Sequence, residues 1–350
     1  MNEFIKPKVH LTDAREPGTE RTARWTNALP YLLLVIATLL WAGNFIAGRL
    51  LRDEVPPVAL SFWRWALALV VLLPASAAQL RQHRRLILHE WKLITALGAS
   101  GIATYSVFVY TALAVNPAIN AALVLALIPL LIVLASWLID DERIGDASAL
   151  GLVVSLLGAT VVVTRGKLET LHFATNDLWM LAAIPNWALY TVLQKRRPPD
   201  LPSLALLTAS VVMGVLLLSP FYLWRYGLTT PITLTLTSGL GVGYIALGAS
   251  AVAYLLWNCG VAVLGPVRSG PFLHLIPLFS AVFAVALLGE SVAGYHIIGA
   301  VLIIGGIALG GRRSSGRRIH GGALHYKMNR IDDDVRIERW NGCAKVDTHI

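Results

Sequence analysis

Arg64 is a permanently charged side chain inside a long apolar run, and its guanidinium could hold a carboxylate or a phosphate. It lies about seven residues after Pro57, where that run begins. In a membrane-spanning helix this places it roughly 10 Å below the surface, at a depth where a charge is expected to face a cavity or a partner. A second interpretation stays open, in which the side chain extends outward or bonds a backbone carbonyl.

His274 is the histidine placed well inside an apolar run, one helical turn before Pro277. A proline within a helix frees a backbone carbonyl and can bend the helix. A histidine beside such a bend could carry a proton across a membrane. The alternative is a neutral imidazole that bonds a neighbouring helix, and the sequence leaves both interpretations open.

A set of aromatic and amide side chains within the apolar runs could line a pocket for a small molecule. An unpaired amide in hydrocarbon costs several kcal/mol, so each amide is expected to have a partner. Aromatic walls suit apolar, aromatic or cationic ligands, which favours amino acids or drug-like amines. With Arg64 and His274, the predicted substrate-binding residues are Trp41, Asn44, Tyr105, Tyr110, Asn120, Trp187, Tyr190, Tyr254, Trp257 and Asn258, and Trp63 shares their chemistry.

The composition predicts an all-α integral membrane protein. Hydrophobic residues make up 56% of the chain and charged residues 14%, whereas a soluble domain carries about a quarter charged residues. The apolar runs are roughly 20 residues long, enough to cross a bilayer. The sequence therefore predicts ten transmembrane helices, at 30–51, 57–79, 92–114, 117–139, 147–164, 177–194, 203–224, 236–263, 266–289 and 293–311.

The distribution of Lys and Arg predicts that both termini are cytoplasmic, since these residues mark the inner ends of helices. The same distribution explains the net charge of +9 without nucleic acid. Residues 1–29 are interpreted as a cytoplasmic segment without a cleavable signal, and 312–350 as a disordered cytoplasmic tail. Cys259 and Cys343 are too far apart for a metal site, so no cofactor or metal is expected.

An internal duplication covers residues 30–164 and 177–311. Trp41 returns as Trp187 after 146 residues, and Gly151 returns as Gly299 after 148 residues. Each copy holds five predicted helices, so the second copy must enter the membrane in the opposite orientation. Two inverted repeats of this kind are typical of transporters, which open their central cavity first to one side and then to the other.

Recognisable motifs accompany the duplication. The stretch Leu-Trp-Ala-Gly-Asn-Phe at 40–45 resembles the first-span motif of the EamA family of the drug/metabolite transporter superfamily, and Arg64 resembles an arginine often seen in its second span. Residues 254–311 resemble the second EamA repeat. The resemblance spans about 30–311 and implies an exporter of amino acids, other metabolites or drugs in a bacterial inner membrane. The first copy departs at 140–142, where Asp141 replaces a Gly that usually precedes Glu, which is expected to change a helix end.

Helix ends and bends supply the remaining candidates. Pro129 and Pro277 are equivalent and are expected to bend the fourth and ninth helices around the cavity. Glu142 and Glu290 are equivalent, with one at each membrane face. Each could cap the start of the following helix or form an ion pair that gates the cavity.

The leading functional hypothesis is a secondary active or facilitative transporter that exports small metabolites. The chain has no Walker-type phosphate loop, and its expected partners are a small-molecule substrate, the lipid bilayer and, if His274 titrates, protons. The rival is an intramembrane serine protease, because 98–101 reads Gly-Ala-Ser-Gly and His274 could serve Ser100 as a base. An internal duplication has no evident role in a protease, and Ser100 has no paired serine motif in the second copy.

Overall fold

The computed structural model describes residues 17–115, 124–167, 175–229, 232–288 and 293–311. Every regular element within these ranges is helical, and the helices follow the predicted spans in order. The ten that match predicted spans are named α1 (Pro17–Leu50), α2 (Pro57–Gln82), α3 (Trp91–Val115), α4 (Ile128–Asp140), α5 (Asp146–Val163), α6 (Leu178–Leu193), α7 (Ser203–Tyr226), α8 (Leu236–Leu264), α9 (266–288) and α10 (Gly294–Gly311). A short helix, Arg84–His89, connects α2 to α3.

Seven of the helices are long and apolar enough to cross a membrane, namely α1, α2, α3, α5, α7, α8 and α10. The other three are shorter or interrupted. α4 begins at Ile128 after a turn at 126–127, and residues 117–123 of the predicted span lie outside the described residues. α9 consists of a short helix Pro266–Ser269, a 3₁₀ segment Gly270–His274 and the helix Leu275–Leu288.

The two copies share an irregularity that the sequence analysis did not predict. α3 contains a π-helical segment at Gly98–Thr104, and α8 contains one at Ile245–Val252. The shift of 148 residues carries 98–104 onto 246–252, so the two segments occupy equivalent positions. Since π-helical turns are rare in proteins, their recurrence indicates that the duplication preserves backbone detail.

Four glycines establish the relative orientation of the copies. A Cβ on Gly151 would lie 2.5 Å from the Gly306 carbonyl oxygen, and one on Gly158 would lie 2.8 Å from the Gly299 carbonyl oxygen. From Gly151 to Gly158 the residue number rises along α5, whereas the contacted residue of α10 falls from Gly306 to Gly299. These equivalent helices are therefore antiparallel. Gly151 is equivalent to Gly299 and Gly158 to Gly306, so a two-fold rotation exchanges the two contacts. The fold is therefore a pair of inverted repeats, as predicted.

The interior forms where helices of the two copies pack against one another. α1 packs on α8 and α9, and the equivalent α6 packs on α3 and α4. The equivalent residues Trp41 and Trp187 meet in the middle, with ring centroids 5.0 Å apart and planes at 90°. Because equivalent residues can touch only near the two-fold axis, this pair marks the centre of the molecule.

Asp141, where the first copy departs from the family pattern, lies at a helix end. Asp141 ends α4 with a φ of 49°, in the left-handed region where glycine is favoured. Its backbone N–H bonds the Trp137 carbonyl, and that of Glu142 bonds the Ser136 carbonyl. An aspartate thus adopts the backbone turn that a glycine makes at lower cost.

Candidate functional site

A cavity of about 420 Å³ extends from the central tryptophans to the membrane face where α1 ends, and it is partly open. Arg49 and Leu50 lie on its wall at that face. Residues of α1, α2, α3, α4, α6, α8 and α9 contribute to its wall, so both copies build it. Of the residues predicted from sequence, those on the wall are Trp41, Asn44, Arg64, Tyr105, Trp187, Tyr254 and Pro277.

Arg64 is 3% exposed and is held by a network of neutral partners. Its Nε donates to Ser250 Oγ at 2.7 Å, and its Nη1 donates to the Tyr110 hydroxyl at 2.7 Å. That hydroxyl donates in turn to Asn44 Oδ1 at 2.7 Å. The guanidinium carbon also lies 4.9 Å from the centre of the Trp65 ring, a distance typical of cation–π contact.

No carboxylate among the described residues neutralises the charge on Arg64. None of the described residues on the cavity wall is Asp or Glu, and the described partners of Arg64 are all uncharged. A guanidinium has five N–H groups, and those beyond the two bonds to Ser250 and Tyr110 have no described protein partner. Within the described part of the chain, the site therefore offers an anionic group a buried positive charge and guanidinium N–H groups that bond no other residue.

Aromatic rings form the floor of the cavity. Trp41, Trp187 and Tyr254 pack edge to face, with centroids 5.0 to 5.6 Å apart. Trp41 Nε1 donates to the Ala249 carbonyl at 2.9 Å, which fixes its ring. Tyr105 packs against Trp187 at 4.8 Å and completes the wall. These rings offer an apolar surface of ring faces and edges to a ligand whose charged end meets Arg64.

Some predicted binding residues lie behind the floor or away from the cavity. Tyr110 supports Arg64 without lining the cavity, whereas Tyr190, Trp257 and Asn258 are buried on the far side of the tryptophans. Tyr190 donates its hydroxyl proton to Asn258 Oδ1 at 3.0 Å. Trp63 donates to the Tyr222 hydroxyl at 3.1 Å and belongs to a separate aromatic group.

Two of the predicted site residues, Asn120 and Glu290, lie outside the described residues.

His274 is fully buried and bridges both copies. Its Nε2 lies 2.9 Å from the Ala126 carbonyl oxygen, and its Nδ1 lies 2.8 Å from Ser155 Oγ. A carbonyl only accepts, so Nε2 carries a proton. A neutral ring would then accept at Nδ1 from the Ser155 hydroxyl, whereas a protonated ring would donate to Ser155 Oγ. Ala126 is the repeat equivalent of His274, so this bond, like the tryptophan pair, lies near the two-fold axis.

The break at Pro129 explains why the Ala126 carbonyl is available. Proline lacks the backbone N–H that would bond the Leu125 carbonyl, and the next N–H, that of Leu130, bonds the Leu127 carbonyl instead of the Ala126 carbonyl. The imidazole of His274 supplies the missing donor. In the second copy, Pro277 follows the 3₁₀ segment and lies on the cavity wall. Both prolines thus lie at interruptions of α4 and α9.

Ion pairs close the membrane face opposite to the cavity mouth. Lys195 Nζ lies 2.9 Å from Glu142 Oε2 and 3.7 Å from Asp140 Oδ2, and Arg196 Nη2 lies 3.2 Å from Asp140 Oδ1. These pairs join the end of α6 to the connection between α4 and α5. Glu142 does not cap α5, because Gly145 occupies the N-cap position. Of the two interpretations of Glu142, the geometry matches the inter-repeat ion pair.

The protease geometry is not present among the described residues. Ser100 Oγ donates to the Ala96 carbonyl at 2.6 Å within its own helix. Both ring nitrogens of His274 contact groups of α5 and of the segment before α4. Ser100 therefore lacks the hydrogen-bonded base that a serine nucleophile needs.

Sequence reasoning missed three residues that organise the site. Ser250 Oγ accepts a hydrogen bond from Arg64 Nε, and Ser155 Oγ contacts His274 Nδ1. Arg49 lies on the cavity wall and donates to the Leu113 carbonyl at 2.9 Å. Serine is frequent in transmembrane helices and gave no signal. Arg49 did give one, because it is the repeat equivalent of Lys195, which forms the ion pairs at the closed face.

A membrane protein of two inverted helical repeats around a central cavity has the architecture of a solute transporter. The chain belongs to the EamA-like transporter family, whose sequence model matches residues 28–164 and again residues 175–311. A solved crystal structure superposes with a TM-score of 0.63 at 24% identity, covering 81% of this chain and 96% of that chain, and supports the fold.

The match with curated relatives extends over most of the length of each relative. The chain is 27% identical to an uncharacterized transporter of Archaeoglobus fulgidus, over 79% of this chain and 96% of the relative. It is 25% identical to a probable amino-acid metabolite efflux pump of Salmonella typhimurium, over 78% and 91%. It is 29% identical to a probable terminal-alkyne amino-acid exporter of Streptantibioticus cattleyicolor, over 77% and 89%. The family and these relatives indicate a transporter rather than an enzyme.

Proposed function

We propose that this chain exports amino acids or related amines and drugs, as a secondary active or facilitative transporter of a bacterial inner membrane. Its two inverted repeats would expose the central cavity alternately to the two sides of the membrane. The distribution of Lys and Arg supports an orientation with the Arg49 end of the cavity outside and both termini in the cytoplasm. The described conformation is then open to the outside and closed at the cytoplasmic face by Lys195, Glu142 and Asp140.

The proposed substrate class follows from the buried charge of Arg64. A buried guanidinium without a described acidic partner favours a ligand that brings its own negative charge. A carboxylate matches the fork of Arg64, and the Nδ2 of Asn44 on the same wall has no described partner. The relatives named as amino-acid exporters support the same class.

The floor of the cavity favours an apolar or aromatic side chain on the substrate. Trp41, Trp187 and Tyr254 present ring faces and edges, and Val109, Leu113 and other apolar residues complete the wall. An amino group bound near these rings would gain cation–π stabilisation. An aromatic or branched amino acid could bind Arg64 through its carboxylate and the aromatic floor through its side chain.

Proton coupling of the transport can be tested with a pH gradient. The described cavity wall has no carboxylate to carry a proton, and His274 is the candidate titratable group inside the bundle. Proteoliposomes with and without a pH gradient distinguish proton-coupled export from facilitated diffusion.

Counterflow in proteoliposomes tests the substrate class. The panel is L-phenylalanine, L-leucine, phenethylamine and a sugar phosphate. We expect transport of the two amino acids, and we expect Arg64→Ala to lower the apparent affinity for L-phenylalanine about 10- to 100-fold, the factor for a lost charge-assisted hydrogen bond. Arg64→Lys keeps the charge without the bidentate fork and is expected to be intermediate.

Arg81→Ala is the matched control, because Arg81 lies exposed at the other end of α2 and bonds the Ala77 carbonyl. It is expected to transport normally. Normal L-phenylalanine counterflow by a correctly inserted Arg64→Ala variant would remove Arg64 from the site. Transport of phenethylamine or the sugar phosphate alone would reject the amino-acid assignment.

A further inference from the structure

The two-fold relation assigns a buried counterpart to residues of the open cavity. Phe45 and Arg64 lie on the cavity wall, and adding 146 converts them to Thr191 and Ser210. Thr191 is 0% exposed and Ser210 is 1% exposed. Exchange of the two repeats would place Thr191 and Ser210 on the wall of a cavity that opens at the opposite face.

The same operation relates the polar network of the open site to a buried one. Tyr110 donates to Asn44, and the equivalent positions hold Asn258 and Tyr190. In the second copy the residue types are exchanged, and Tyr190 donates to Asn258 at 3.0 Å. The hydroxyl-to-amide bond is thus present in both copies, but the guanidinium is present in one of them.

Buried polar atoms without partners are concentrated at these counterpart positions. Half of the ten such side-chain atoms among the described residues belong to this one group, which we name the buried donor set: Trp187 Nε1, Thr191 Oγ1, Ser210 Oγ, Trp257 Nε1 and Asn258 Nδ2. Three members lie close together, since Trp187 lies 6.0 Å from Trp257 and 5.4 Å from Tyr190, the partner of Asn258. Donors buried without acceptors are costly and call for an explanation.

One of these unpaired atoms can be traced to the asymmetry of the described conformation. Trp41 Nε1 donates to the Ala249 carbonyl. The equivalent acceptor for Trp187 is the Gly101 carbonyl, which instead accepts from the Tyr254 hydroxyl at 2.9 Å. Trp187 therefore lacks the bond that Trp41 makes.

We propose that the buried donor set is a second substrate subsite, which lines the cavity of the conformation that opens at the Lys195 face. This inference rests on alternating access in the proposed function and adds the residues and their chemistry. Its three N–H groups and two hydroxyls can donate to a carboxylate, and Ser210 replaces the guanidinium of the open site. The subsite binds the carboxylate of the same amino-acid substrate through neutral donors.

Cysteine accessibility tests the location of the subsite without any substrate. Thr191→Cys and Ser210→Cys are introduced separately into a chain with Cys259→Ala and Cys343→Ser. A membrane-impermeant maleimide is then applied to either side of oriented vesicles. Both cysteines are expected to react from the Lys195 side, and Phe45→Cys is expected to react from the Arg49 side.

A variant that weakens the closed face tests whether the labelling rates follow the exchange between the two conformations. Glu142→Gln removes the 2.9 Å ion pair to Lys195 at the closed face. It is expected to raise the labelling rates of Thr191→Cys and Ser210→Cys about two- to fivefold, the factor for losing a partly exposed ion pair, and to lower that of Phe45→Cys. Ser76→Cys is the matched control, since Ser76 is 0% exposed, bonds the Leu72 carbonyl and lies outside the proposed cavity.

The proposal is overturned if Thr191→Cys and Ser210→Cys stay as unreactive as Ser76→Cys with and without Glu142→Gln, or if they react from the Arg49 side. This outcome is distinct from failure of the proposed function, because labelling needs no transported substrate. Normal labelling with no amino-acid counterflow would reject the substrate class and retain the second cavity.

Protection experiments test the chemistry of the subsite. L-phenylalanine and phenethylamine differ in the carboxylate alone. L-phenylalanine on the Lys195 side is expected to slow labelling of Ser210→Cys, whereas phenethylamine at equal concentration is expected to leave it unchanged. Equal protection by both compounds, or protection by neither, would reject a carboxylate subsite at the buried donor set.

Discussion

At the scale of single residues, the neutral surroundings of Arg64 decide what the protein can bind. Ser250 and Tyr110 orient the guanidinium but leave its charge unbalanced. A buried acid in their place would form an ion pair with Arg64 and compete with an anionic substrate. The charge is thus kept available by residues that are themselves uncharged.

His274 is expected to act as a structural bridge. Removing the imidazole leaves the Ala126 carbonyl without its donor, at a cost of about 1–3 kcal/mol for a buried unsatisfied group. His274→Ala should therefore unfold at lower temperature in detergent, while the pH dependence of transport stays unchanged. His274→Asn, which can still donate to that carbonyl, should recover part of the stability.

A different result would give His274 a proton-carrying role. Ser155 Oγ also lies 3.0 Å from the Leu152 carbonyl, so its hydroxyl could turn away and let a protonated ring donate to Ser155. A flattened pH profile in a variant of unchanged stability would support that role and reject the purely structural bridge.

At the scale of helices, the glycine contacts between α5 and α10 hold the two copies together. A Cβ on Gly306 would lie 2.5 Å from the Ser155 backbone nitrogen and 2.6 Å from the Gly151 carbonyl oxygen. Gly306→Ala should destabilise the protein by about 1–3 kcal/mol through overpacking, measured as a lower unfolding temperature in detergent.

The neighbouring residue Gly305 supplies the control for that prediction. A Cβ there would meet nothing within 4 Å among the described residues. Gly305→Ala should leave the unfolding temperature unchanged or raise it slightly, because alanine favours helix more than glycine. Equal effects of the two substitutions would mean that the α5–α10 contact is not as close as described.

At the scale of the whole molecule, orientation in the membrane follows from the basic residues and can be checked directly. Leu88, 72% exposed between α2 and α3, and Leu228, 94% exposed after α7, are predicted to lie on opposite sides. On intact cells, a membrane-impermeant maleimide should label Leu228→Cys and spare Leu88→Cys, both without Cys259 and Cys343. The reverse pattern would invert the proposed direction of the cavity.

Much of this architecture could be predicted from the sequence because its signals are local or periodic. Apolar length identifies a spanning helix, and the spacing of Trp41 and Trp187 identifies the duplication. The orientation of the copies follows from the odd number of helices in each. The break in α4 was also foreseeable, because Pro129 lacks the N–H that would continue the helix.

Contacts between distant residues could not be predicted from the same signals. Nothing in the spacing of Arg64, Ser250 and Tyr110 indicates that they share one network, since their approach depends on how α2, α3 and α8 pack. His274 was a candidate from sequence alone, but its bond to Ala126 exists because both lie near the two-fold axis.

The sequence by itself determined a duplicated, membrane-spanning helical chain with a charge buried in its second helix, because length, hydropathy and repetition are properties of the chain. The tertiary structure decided which polar groups line the open cavity and which stay buried without partners. That division arises because one conformation can open a cavity in only one half of a two-fold structure, while the sequence encodes both halves alike.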